Sequence, residues 1–180
     1  MDTTNNNDQT RTVLIELLNA RLADTIDLLY QAKQAHWNVT GREFFSLHEL
    51  FEKISDELRE HVDDIAERVA QLGGEAEGTI KMVAERSSLP EYPRHVAGGG
   101  VAHLELLSNA LTAAATSMRE AIDQASSLGD EVTADIFVGA TRELDKLHWM
   151  VSAHGREERA ARLEQIPARQ KAETPARSRH

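Results

Sequence analysis

The chain of 180 residues contains no cysteine, which excludes disulfide bonds and thiolate metal sites. It has no apolar run of membrane-spanning length, and its first ten residues lack the basic start and apolar stretch of a signal peptide. Basic residues are scarce: 20 lysines and arginines face 30 acids, for a formal charge of −10. This charge argues against nucleic-acid binding by the folded body as a whole. We therefore expect one cytoplasmic domain of ordinary size.

What the chain does contain is a long amphipathic helix that carries metal-type ligands. From about residue 45 to 72, one apolar face recurs at helical spacing. That face comprises Leu47, Phe51, Ile54, Leu58, Ile65, Val69 and Leu72. On a helical wheel, His48, Glu52, Asp63 and Glu67 point away from it, and they form two pairs with i, i+4 spacing. These four side chains are thus predicted to face away from the core of their own subunit.

The two pairs cannot share one ion within a single chain. A rise of about 1.5 Å per residue separates His48 from Asp63 by roughly 22 Å. An antiparallel second copy would bring His48 and Glu52 against Asp63 and Glu67 of the partner subunit. A twofold axis near Leu58 would then create two identical sites. The alternative is a solvated acidic helix face without a ligand, and the spacing by itself favours that alternative.

Further periodic segments predict an all-α fold. Gly73 and Gly74 are expected to end the long helix, and a long connection broken by prolines follows them. We expect this connection to cross over between parallel helices, with a short helix that covers the second helix. An internal di-iron site built on Glu-x-x-His pairs is disfavoured, because only Asp145 and His148 approach that pattern. The predicted helices span about 11–37, 45–72, 80–86, 101–126 and 131–154.

A longer motif carries a resemblance to a known family. The sequence from Lys33 reads KQAHWNVTGREFFSLHELFEKISDELREHVDDIAERVAQLGG, followed by Gly78-Thr79, Ser-Leu-Pro-Glu-Tyr-Pro and Thr-Arg-Glu-Leu-Asp-Lys. Over about residues 12 to 153, the chain resembles the Dps family, the DNA-protecting mini-ferritins of starved bacteria. The resemblance implies a ferritin-like four-helix bundle whose long crossover contains a short extra helix.

The resemblance also implies a ferroxidase site between twofold-related subunits. In the family, the histidine of H-W-N, the histidine twelve residues later and a D-x-x-x-E pair bind iron. Here these residues are His36, His48, Asp63 and Glu67. Family members add an acidic ligand, often aspartate, four residues after the second histidine, and here it is the longer Glu52. Two iron ions per site are implied, with zinc as a substitute and peroxide as the family's common oxidant.

Assembly and iron entry are implied in the same way. Family members form hollow shells of twelve subunits built from twofold dimers, and acidic residues of one segment line their threefold pores. The matching segment here carries Asp130, Glu131 and Asp135, which we predict to guide iron inward. An ordinary capping role at a helix N-terminus is the alternative for Asp130 and Glu131.

Contact with DNA would need a basic element that the acidic body lacks. Relatives use a lysine-rich N-terminal tail, whereas residues 1–10 here contain no lysine or arginine. The segment 167–180 has four basic residues against one glutamate, a net charge of +3. These basic residues are Arg169, Lys171, Arg177 and Arg179. We predict that this tail binds DNA weakly through many copies, and a solubilising tail without a partner is the alternative.

Three segments are therefore predicted: a disordered arm at 1–10, a ferritin-like domain at 11–156, and a helix extension with a basic disordered tail at 157–180. Two functions compete for this organisation. The first is oxidation and storage of iron, which would protect DNA from oxidative damage. The second is a mainly structural, nucleoid-associated protein in which the metal site is secondary.

Overall fold

Four long helices and one short helix make up the fold, and residues 3–164 contain no strand. This computed structural model describes the backbone of residues 3–164 and the side chains of residues 7–154. The helices are α1 (Thr3–Asn38), α2 (Phe44–Gln71), α3 (Ile80–Arg86), α4 (Gly100–Ser127) and α5 (Glu131–Glu164). The prediction of an all-α fold is confirmed, and the bounds of the short helix match those predicted.

Two helical hairpins pack together around one apolar core. α1 pairs with α2 and α4 pairs with α5, and the hairpins meet where α1 contacts α4 and α2 contacts α5. All the apolar positions predicted for α2 are buried except Leu72, which is partly buried. Phe51 of α2 and Phe137 of α5 are the largest of the fully buried side chains. Each such burial contributes about 1.5–3 kcal/mol, so the periodic pattern locates the main source of stability.

Glycine in the left-handed conformation ends α2, as predicted from the sequence. Gly73 has φ 78°, and the N–H of Gly74 donates to the carbonyl of Val69 at 3.0 Å. A Cβ disfavours this conformation, so glycine fixes the residue at which the helix stops. Gly129 ends α4 with the same φ of 78°.

The long crossover runs along α1 and not over α2. α3 packs mainly on α1, and polar residues on one face of α1 bind the segments on either side of α3. Asn19 and Gln31 each donate to a crossover carbonyl at 3.0 Å, and Asp24 accepts from the backbone N–H of Ser88 at 2.7 Å. The prediction that the short helix covers the second helix is therefore wrong. Buried polar groups of α1 need these partners, and the crossover supplies them.

The first helix begins earlier than predicted. α1 starts at Thr3, so the prediction of a disordered arm over residues 1–10 is wrong for residues 3–10. Local contacts support the helix there. The carboxylate of Asp8 pairs with Arg11 at 3.2 Å, and its carbonyl accepts from the hydroxyl of Thr12 at 2.9 Å. Polar side chains on an already formed helix cost little, which is why hydrophobic periodicity does not detect this turn.

The last helix extends past the predicted end at His154. α5 continues to Glu164, into the segment predicted as a helix extension. Residues 165–180 lie outside the described residues, and with them lie the predicted DNA-binding residues Arg169, Lys171, Arg177 and Arg179. Between residues 3 and 164, no helix is long and apolar enough to span a bilayer.

Candidate metal centre

The turn between α1 and α2 brings two histidines face to face. His36 lies in the last turn of α1 and His48 in the second turn of α2, and the buried side chain of Val39 anchors the turn between them. The two imidazole rings stack with their centroids 3.7 Å apart and an interplanar angle of 23°. The structure thus places the two predicted histidine ligands side by side in one subunit.

Each histidine is oriented by the backbone of the other. Nδ1 of His36 lies 2.9 Å from the carbonyl oxygen of His48, and Nδ1 of His48 lies 2.9 Å from that of His36. A carbonyl oxygen only accepts, so each Nδ1 carries a proton and donates it, which leaves a free lone pair on each Nε2. Support of this kind fixes the orientation and tautomer of a metal-binding histidine. Both rings are therefore arranged to bind metal through Nε2.

Glu52 lies beside the histidine pair but faces Lys33. Its Oε2 atom is 2.5 Å from Nζ of Lys33 and 3.3 Å from Nδ1 of His36. The hydrogen bond from Lys33 lowers the pKa of Glu52, and desolvation opposes this shift only in part. The carboxylate approaches His36 on the Nδ1 side, across the ring from the free Nε2. In this position it supports the site and does not share the metal-binding direction of the histidine.

Lys33 was not among the residues predicted from the sequence. It precedes His36 by three residues, so it lies one helical turn away on the same face of α1. That spacing is the signal that could have identified it. Its ammonium group also lies 5.7 Å from the ring centroid of Trp37. Trp37 is 61% exposed, so it lies beside the site and is not part of the core of this subunit.

The other two predicted ligands lie apart from the histidines. Asp63 and Glu67 are exposed side chains further along α2, and about 22 Å of helix separates Asp63 from His48. Within residues 7–154, no three histidine, aspartate or glutamate side chains are grouped so that one chain could hold a metal ion. One subunit therefore presents two separate half-sets of predicted ligands: the histidines at the turn between α1 and α2, and the two carboxylates further along α2.

An open acidic groove follows the outer face of α2 between the two half-sets. It is lined by Glu49, Glu52, Lys53, Asp56, Glu57 and Glu60. Five carboxylates against one lysine give the groove a negative potential, which raises the local concentration of cations. Apart from Glu52, the sequence did not single out these acids, because exposed carboxylates at such spacing are typical of any solvated helix face.

Comparison with known proteins identifies the family. Residues 15–161 match the family model described as a ferritin-like domain. The DNA protection during starvation protein of Agrobacterium fabrum is 42% identical over 147 residues, which cover 82% of this chain and 90% of that relative. The chain belongs to the Dps family.

Solved Dps structures share the fold of this Dps-family chain. DpsA14 from Streptomyces coelicolor superposes with a TM-score of 0.76 at 34% identity, over 81% of this chain and 85% of that one. A Dps protein from Vibrio cholerae O1 gives 0.74 at 27% identity, over 81% and 90% of the two chains. The latter is described as a member of a broad superfamily of ferritin-like diiron-carboxylate proteins. The predicted ferritin-like bundle is thereby confirmed.

The acidic residues predicted to line a Dps pore have different surroundings. Asp130 accepts from the backbone N–H of Thr133 at 3.0 Å and pairs with Arg68 at 2.9 Å. Its carboxylate is therefore engaged inside the subunit, in the capping role that was the alternative. Glu131 and Asp135 have exposed side chains at the start of α5. These two stay predicted pore residues.

Two histidines outside the stacked pair, His103 and His148, have structural partners. His103 is 3% exposed and shares a hydrogen bond with the hydroxyl of Tyr92. Burial lowers the pKa of His103 and raises that of Tyr92, so both groups are neutral near pH 7. His148 lies with Nε2 3.2 Å from the hydroxyl oxygen of Ser108. These contacts give both histidines structural roles within the subunit.

Proposed function

We propose that this Dps-family protein oxidises Fe(II) at sites shared by two subunits and stores the ferric product, which protects DNA from oxidative damage. The observation that carries the proposal is the stacked pair of His36 and His48. Their Nδ1 atoms are held by backbone carbonyls, and their Nε2 atoms are free to bind metal. The DNA protection named for the Agrobacterium relative and the diiron-carboxylate description of the Vibrio relative support it.

The separation of the half-sets supports a site between subunits. His48 and Asp63 cannot meet within one chain, because about 22 Å of rigid helix lies between them. A second α2, antiparallel across a twofold axis at the level of Leu58, would place His36 and His48 opposite Asp63 and Glu67 of the partner subunit. The same axis would create two equivalent sites in each dimer.

Imidazole nitrogens and carboxylate oxygens suit ferrous iron as a substrate, and they would also accept zinc. Two iron ions in one site supply one electron each. Reduction of one hydrogen peroxide to two waters consumes these two electrons and two protons, and both irons become Fe(III). Because both electrons enter the same peroxide, the one-electron step that forms hydroxyl radical is avoided. The ferric product prefers hard oxygen ligands, which favours its transfer into an oxygen-rich mineral.

Storage requires a closed assembly, which we propose is a hollow dodecamer built from twofold dimers. Twelve chains of formal charge −10 carry −120 in total. Such a shell attracts cations, and the exposed carboxylates of Glu131 and Asp135 are the proposed route for iron. The same charge repels DNA. Direct contact with DNA in the cytoplasm is therefore assigned to the basic segment 167–180.

Replacement of both histidines tests the proposed oxidation. In the variant His36→Gln with His48→Gln, the peroxide-dependent oxidation of Fe(II), followed by absorbance of the ferric product, should fall to the rate without protein. His95→Gln removes an exposed histidine elsewhere and should keep the full rate. An unchanged rate in the double variant would favour the mainly structural nucleoid protein.

Co-expression of two inactive variants tests whether the site is shared. One parent carries His36→Gln and His48→Gln, and the other carries Asp63→Asn and Glu67→Gln. At equal amounts, half of the twofold dimers are mixed, and each mixed dimer rebuilds one of its two sites. About a quarter of the wild-type rate should therefore return. A site contained within one subunit would give no recovery, and that result would refute the shared geometry.

A further inference from the structure

Lys33 occupies a position where a metal cation would compete for Glu52. Its Nζ atom lies 2.5 Å from Oε2 of Glu52, and the lysine side chain is only 19% exposed. Among residues 7–154, Glu52 is its only ion-pair partner. The Trp37 ring lies 5.7 Å from the same ammonium group, so the lysine is held from two sides. The contact is therefore a built part of the site and not a loose surface pair.

The geometry separates Glu52 from the free nitrogens of the histidines. Oε2 of Glu52 lies 3.3 Å from Nδ1 of His36, and this nitrogen already donates to the backbone of His48. The free lone pair of His36 lies on Nε2, which points to the other side of the ring. The Oε2 atom of Glu52 can join an ion at Nε2 only by leaving Lys33. An ammonium group that stayed close by would repel a divalent ion.

We propose that Lys33 is a positioning residue that holds Glu52 out of the coordination of the metal. The inference rests on the proposed ferroxidase function and deepens it. With Lys33 in place, the subunit contributes two histidines and no carboxylate to the ion beside them. Each ion is then held by fewer protein ligands, which keeps binding weak enough for iron to leave after oxidation. Without the ammonium, Glu52 rotates toward the ion and becomes a ligand.

Calorimetry with Co²⁺ on the full-length assembled protein measures the affinity of the site for a divalent ion. Co²⁺ is used because it is not oxidised during the measurement. Lys33→Gln should tighten Co²⁺ binding by about tenfold, the lower end of what one charge at this range does to a carboxylate equilibrium. Lys33→Arg keeps the charge and should bind like wild type. Lys146→Gln is the matched control. It removes a lysine of α5 that pairs with Glu143 and Glu57, and the affinity should not change.

A second substitution separates release of Glu52 from a general change in charge. In the wild-type background, Glu52→Gln should change the affinity for Co²⁺ by less than about threefold. The reason is that Glu52, held by Lys33, is not a ligand there. In the Lys33→Gln background, the same change should remove the whole tenfold gain. This non-additivity is the signature of two residues acting as one unit. A purely structural lysine would not produce it.

Two results would overturn the inference. The first is a Lys33→Gln affinity equal to or weaker than that of wild type. The second is a large loss of affinity on Glu52→Gln alone, which would show that Glu52 is a ligand with Lys33 in place. Failure of the ferroxidase proposal would look different from failure of this inference. In that case the His48→Gln variant would bind Co²⁺ with the same affinity as wild type.

Discussion

Asp130 should contribute more to stability than the exposed carboxylate next to it. Its Oδ1 caps α5 by accepting from the backbone N–H of Thr133 at 3.0 Å, and Arg68 donates to the same carboxylate at 2.9 and 3.0 Å. The side chains of Arg68 and Asp130 are 15% and 14% exposed, so water screens their attraction only weakly. The carboxylate thus ties α2 to the start of α5.

The expected cost of removing it follows from these contacts. Loss of a helix cap costs about 1 kcal/mol. Loss of the partner of a mostly buried arginine costs about 2 kcal/mol, between the values for exposed and fully buried pairs. Asp130→Ala should therefore lower the free energy of unfolding by about 3 kcal/mol, which corresponds to a Tm lower by about 6–12 °C.

Thermal unfolding at matched subunit concentration measures the effect, because oligomer stability depends on concentration. Glu131→Gln removes the same charge one residue later, and its exposed side chain predicts a change within about 0.5 kcal/mol. A double-mutant cycle of Asp130→Asn with Arg68→Met should give a coupling energy of about 1–2 kcal/mol. An Asp130→Ala protein that unfolds within about 2 °C of wild type would refute the reasoning.

The pH dependence has a defined sign. Burial raises the pKa of Asp130, but hydrogen bonds from Thr133 and the charge of Arg68 outweigh it and lower the pKa. A lowered carboxyl pKa stabilises the folded state above the ordinary carboxyl pKa, and the contribution is lost as pH falls below it. The difference in stability between wild type and Asp130→Asn should be constant above about pH 5 and should shrink below about pH 4.

Three further predictions concern the pore, the tail and a buried pair. Glu131→Gln with Asp135→Asn should slow iron uptake without changing the size of the assembly in gel filtration, because fewer negative charges attract Fe(II); an unchanged initial rate would reject the pore assignment. A chain that ends at Ile166 should retard DNA less than the full chain in a low-salt gel shift, and equal retardation would remove the tail from DNA binding. Tyr92→Phe should lower the free energy of unfolding by about 1–3 kcal/mol, since buried His103 loses its partner. Equal thermal stability would show that this bond contributes nothing.

Apolar periodicity predicted the helices well and the path of the crossover badly. Residues such as Phe51 and Ile54 mark a buried face that follows from the pattern alone. Asn19, Asp24 and Gln31 are also buried, at 1%, 1% and 5% exposure, but polar residues on a helix are ordinarily exposed. Their partners in the crossover lie more than about fifty residues away in the chain, and no local pattern records such distant hydrogen bonds.

The site was predictable in its residue types and not in its contacts. Resemblance assigned His36 and His48, and the structure brings them together, but their exchange of hydrogen bonds with each other's backbone depends on the turn between the helices. Spacing within α1 places Lys33 on the face of His36, but it does not show that Lys33 contacts Glu52 of α2. Glu52 therefore stands at the position of the family's acidic ligand in the sequence, although its carboxylate contacts a lysine in the structure.

The path of the crossover decides which surface of the subunit is left bare. If α3 had covered α2 as first predicted, it would have lain over a helix that carries Asp63 and Glu67. Because the crossover packs along α1 instead, both carboxylates stay exposed on the surface of the subunit. In the proposed geometry, an isolated subunit is then not a weaker catalyst but an incomplete one. Iron oxidation would then begin only after subunits assemble, and unassembled chains would not oxidise iron before a shell exists to store the product.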